Sequence, residues 1–91
     1  MKTYVIEREI PGAGKLSQEE LKKKSRISCA VLEEMGSKIH WIQSYVTGDK
    51  LYCVYEAESE ELIREHAKRA GFPANVVAEV FSVISPATAE L

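Results

Sequence analysis

The chain predicts an α+β protein of the ferredoxin-like kind. Its elements run β-α-β-β-α-β, giving a four-stranded antiparallel sheet with two helices on one face. Three observations carry this. Segments of period-2 apolar alternation and segments of helical period follow one another in that order. Each helical segment opens on a serine and closes on a glycine. Two adjacent strand-like segments are joined by the short turn TGDK.

The first strand spans residues 2–9, KTYVIERE, which are rich in β-formers. IPGAGK ends it with a proline and two glycines. Ser17 then reads as an N-cap with Glu20 as its capping-box partner, opening a helix from about Gln18 to Met35 that stops at Gly36. Leu21, Ile27, Ala30, Val31, Leu32 and Met35 are its expected apolar positions, with Ser25, Ser28 and Cys29 along a small-residue edge. KIHWIQSYV and KLYCVYEA form the hairpin, and Gly48 and Asp49 are expected to supply unusual backbone angles at its turn. A two-residue loop pairs Val46 with Leu51, Ser44 with Cys53 and Ile42 with Tyr55. It leaves Trp41, Gln43, Tyr45, Tyr52, Val54 and Glu56 on the opposite face. Ser59 is the expected cap of the second helix, which carries Leu62, Ile63, His66, Ala67 and Ala70 and ends at Gly71 before Pro73. NVVAEVFSVI is the last strand. One domain over residues 1–84 and a flexible tail over 85–91 follow from this order.

Composition narrows the function classes. A chain of 91 residues, 45% hydrophobic, is one small domain of a size that often dimerises. The open sheet face, with its aromatic and apolar residues, is the expected homodimer surface. A net charge of -2 is no footprint for nucleic acid. The single basic run, KKK at 22–24, follows Glu19 and Glu20 and reads as a solvated helix face. No apolar run approaches a membrane span. MKTYVIERE lacks the pattern of a signal peptide, so a cytoplasmic protein with reduced thiols is expected.

The chemistry-bearing residues are few. Cys53 in the third strand and His66 in the following helix are a thiolate and an imidazole, a donor pair suited to Zn, Ni or Cu. Packing the helix over the sheet would bring them toward each other, with Cys29 and Glu56 as further candidate ligands. No C-x-x-C, H-x-x-x-H or H-E-x-x-H spacing accompanies them. Buried packing is the competing role for each. Glu7, Glu56 and Glu79 lie in strands, where two sharing the open face would have their pKa values driven apart. Tyr45 and Tyr55 would supply polar handles in a small-molecule pocket between helices and sheet. PGAGK lacks the remainder of a phosphate-loop pattern. No residue is assigned a catalytic role.

IEREIPGAGKL, SYVTGDKLYCVYEA and IREHAKRAGFPANVV resemble a family of small, mostly bacterial domains of unknown function, some members of which are described as nickel-binding or nickel-responsive. The resemblance runs over roughly residues 4–83 and implies a ferredoxin-like dimer. It also makes nickel the first metal to consider, with Cys53, Tyr55 and His66 inside the matching motifs. The sequence thus points to a small cytosolic homodimer binding a transition-metal ion. The alternative is a dimeric α+β-barrel-like enzyme or small-molecule carrier with its pocket between helices and sheet.

Overall fold

The computed structural model describes all 91 residues. Strand β1 (Lys2–Glu9) leads to helix α1 (Gln18–Met35), the hairpin β2 (Ile39–Val46) and β3 (Lys50–Ala57), helix α2 (Glu60–Ala70) and strand β4 (Val76–Val80). The sheet is fully antiparallel in the order β2-β3-β1-β4, with both helices against one face. This is the ferredoxin-like arrangement. Alternation along the strands sends Tyr4, Ile6, Cys53, Tyr55 and Ala57 inward, where they join Ile39 and Ile63 of α2 in the core.

The capping signals of α1 are realised. Ser17 Oγ accepts from the Glu20 backbone N–H at 3.1 Å, and Glu20 Oε1 accepts from the Ser17 N–H at 3.1 Å. Ser59 sits at the N-cap of α2 with no side-chain capping bond. Gly71 ends α2 in the left-handed region, at φ 76°.

Four expectations are corrected. First, α1 turns the two serines of its small-residue edge inward: Ser28 is buried and Lys24 and Ser25 are half-buried, while Cys29 of that edge is exposed, Ile27 is 40% exposed and Ala30 is exposed. Second, a β-bulge between Trp41 and Gln43 sets Trp41, not Ile42, opposite Tyr55. Trp41 therefore joins the helix-side layer, its ring stacked on Tyr55 with centroids 6.5 Å apart, and Ile42 becomes the exposed extra residue. The pairs Ser44–Cys53 and Val46–Leu51 hold.

Third, the hairpin turn needs no positive φ; the positive-φ glycines are Gly12, Gly36 and Gly71. The glycines of PGAGK serve instead to dock that loop on the turn. Gly14 N–H donates to Gly48 O at 3.0 Å, and Gly12 N–H donates to Asp49 Oδ1 at 3.0 Å. Fourth, β4 ends at Val80. Phe81, Val83 and Ile84 lie beyond the sheet, exposed, and a short 3-10 helix over Pro86–Glu90 follows.

Candidate functional site

Three small side chains stand where a closely packed layer would carry large ones. Ser25 and Ser28 on α1 and Ser44 on β2 all face the space between helix and sheet. Too little volume is delivered there, and a hollow of about 170 Å³ remains. Leu21, Trp41, Leu51 and Phe72 form its apolar walls, and Arg8, Lys24 and Tyr55 bring polar atoms to it. No aspartate or glutamate lines it.

Arg8 is the unusual member. It continues the inward parity of Tyr4 and Ile6 along β1 and is only 2% exposed. Its Nε–H donates to Cys53 Sγ at 3.4 Å, and Nη1 donates to the Pro73 carbonyl at 2.7 Å. The guanidinium lies near two aromatic rings, with its carbon 5.9 Å from the Tyr55 centroid and 5.7 Å from that of Phe72. Nη2 has no protein partner, and the side chain makes no ion pair. A buried cation in this position is costly unless an anion or a set of acceptors answers it.

Beside it runs a buried polar chain. His66, fully buried on α2, places Nε2 3.2 Å from Ser28 Oγ and 3.4 Å from the Ser28 carbonyl. Ser28 Oγ is in turn 3.4 Å from the Tyr55 hydroxyl. With the imidazole proton on Nε2, the ring donates to Ser28, the Ser28 and Tyr55 hydroxyls share one further hydrogen bond in which either can donate, and the buried Nδ1 has no protein partner. Burial pushes the His66 pKa below its ordinary value; the bond to the Ser28 backbone opposes this and the Arg8 charge adds to it. Burial likewise raises the Tyr55 pKa, with Ser28 and Arg8 opposing. At neutral pH the chain is a neutral imidazole and a protonated phenol.

The residues singled out in the sequence are divided among several places. Cys53, Tyr55 and His66 share the inner layer: the Tyr55 ring lies 5.3 Å from that of His66, and Cys53 meets Arg8. Cys29 is exposed and borders a second, shallow groove with Glu33 and His40. Glu56 pairs with His40 on the opposite face of the sheet from Cys53. Tyr45 is on that open face too, 57% exposed, accepting from Gln43 Nε2 at 2.7 Å. No three His, Cys, Asp or Glu side chains converge as a metal site would need. Of the strand glutamates, Glu7 pairs with Lys50 at 2.6 Å and Glu79 with Lys2 at 3.9 Å.

Sequence reasoning missed Arg8, Lys24, Ser44 and Phe72 as site residues and placed Trp41 on the wrong face. The alternation of β1 held a usable signal for Arg8, since a charged residue in phase with Tyr4 and Ile6 must enter the core.

The family described as nickel responsive protein SCO4226-like matches residues 4–80. The chain belongs to this family. The crystal structure of SCO4226 from Streptomyces coelicolor A3(2) superposes with a TM-score of 0.75 at 21% identity, covering 90% of this chain and 99% of that one. At that identity the likeness is one of fold. No curated protein matches the chain. No helix is long and apolar enough to cross a membrane.

Proposed function

We propose that this protein is a homodimer that binds a small organic molecule in the hollow between α1 and the sheet. The observation that carries this is Arg8, a buried guanidinium without an ion-pair partner, set in the wall of an apolar hollow that three serines keep open. Packing alone would favour larger side chains at Ser25 and Ser44 and an uncharged one at Arg8. Trp41 is the only tryptophan and lines the hollow, so its emission is a direct reporter. The test is to titrate small aromatic and aliphatic compounds against Trp41 emission and against amide NMR shifts. Saturable changes at the hollow are expected; a set that leaves both signals unmoved refutes the reading.

The dimer would form through the open sheet face. Val5, Tyr52, Val54 and Val80 lie there half-covered, and Tyr45 and Val76 are 57% and 46% exposed. A second copy of the same face is the simplest self-complementary cover. Light scattering should give twice the chain mass, and Val54→Glu should give the monomer. Two free cysteines suit a reducing compartment, which agrees with a cytoplasmic location.

The family's description favours nickel as a second ligand. The inner layer does not fit a divalent cation: Cys53 faces a guanidinium, and Lys24 adds a second positive charge to the same hollow. Donors for nickel would come instead from two subunits. His40 and Glu56 are cross-strand neighbours on the open face, where a dimer would bring further donors beside them. Nickel calorimetry on the wild type and on His40→Ala and Glu56→Gln tests this. Equal binding by all three removes these residues from the site.

A further inference from the structure

The chemistry of the hollow defines its ligand more narrowly, on the premise that the hollow is the binding site. The geometry points to a small organic carboxylate with a flat apolar body, its carboxylate on Arg8 and its body between Trp41 and Phe72.

Arg8 and Lys24 both line the hollow, which has no acidic side chain. Lys24 Nζ stands 6.0 Å from the Phe72 centroid, the same ring the guanidinium approaches from 5.7 Å. Two cations thus flank one end of an apolar slot. An anion placed there neutralises a charge that the fold leaves without a counterion.

Of the guanidinium's five N–H groups, Nε–H is used by Cys53 and one on Nη1 by Pro73. Both Nη2 donors and the second Nη1 donor remain, and such adjacent donors form the fork that a planar carboxylate takes in a bidentate manner. The backbone and aromatic contacts of Arg8 hold that fork still before a ligand arrives, which lowers the ordering cost of binding. The Tyr55 hydroxyl, in hydrogen-bond contact with Ser28, is one further polar group on the same wall.

Size sets the body. A cavity of about 150 Å³ lined by apolar side chains holds benzene. At about 170 Å³ this hollow takes one six-membered ring or a short branched chain together with its acid group.

Benzoate and its neutral isostere benzamide are the probes, read by Trp41 emission and by calorimetry on the full chain. Benzoate is expected to bind about tenfold tighter than benzamide or better, the ratio that one charge-assisted hydrogen bond commands. Arg8→Met should lose that preference, and Lys24→Met, a half-exposed site that does not endanger folding, should weaken benzoate more than benzamide. Equal binding of the two probes overturns the carboxylate assignment and leaves the small-molecule reading standing. Inorganic phosphate displacing benzoate at equal concentration overturns it as well, in favour of a phosphate ligand. If neither probe binds, nor any other small aromatic or aliphatic compound, both readings fall.

Discussion

Ser25→Leu separates a binding hollow from a packing defect, because the two predict different combinations of stability and binding. Ser25 is half-buried on the inner face of α1, and its hydroxyl donates to the Leu21 carbonyl at 2.9 Å. That back-bond to the preceding turn adds little to helix stability, so losing it costs little. Leucine brings roughly three further carbons, at about 0.8 kcal/mol for each one fully buried. Half-burial reduces the gain to about 1 kcal/mol, and the better helix propensity of leucine adds a few tenths. The variant should therefore be more stable by about 1–1.5 kcal/mol, raising the melting temperature by about 4–12 °C for a domain of this size. It should at the same time lose the Trp41 response to any ligand of the hollow. Thermal and urea melts measure the first effect and fluorescence titration the second. A variant destabilised by about 1 kcal/mol or more would mean that the hollow cannot take the side chain, since overpacking costs that much. Greater stability with unchanged binding would put the ligand elsewhere.

Three further outcomes follow from named contacts. The depressed pKa of His66 means that the unfolded chain takes up a proton before the folded one does. The stability it supports is present above pH 6.5, the ordinary imidazole value, and falls as pH drops below it. Urea melts across that range should show the slope in the wild type, and a shallower one in His66→Gln. Gly14→Ala should destabilise by about 1–3 kcal/mol, because the new Cβ would stand 3.1 Å from both the Gly48 Cα and the Thr47 carbonyl oxygen, which are backbone; a neutral result would show that the docked loop yields. Cys29 is exposed and Cys53 buried, so a thiol reagent should modify one thiol rapidly in the native protein and the second only on unfolding.

The parts legible in the sequence were those that local chemistry determines. Ser17 and Glu20 announce the start of α1, Gly36 and Gly71 the helix ends, and TGDK the hairpin, because caps and turns are satisfied within a few residues. The site was harder to read for two reasons. Apolar counting selects Ile27 and Ala30 as helix core, whereas α1 presents serines inward to make room, and a hollow has no residue type of its own. The bulge after Trp41 shifts the parity of β2 by one residue, and nothing in the strand's composition marks it. That single extra residue moves the tryptophan from the open face to the helix side and leaves Tyr45 behind. The same parity rule explains why Cys53 and Glu56, three positions apart on a regular strand, cannot serve one ion within a single chain. Alternation alone carries Arg8 inward, and once inside it sets a positive charge in the wall of the hollow.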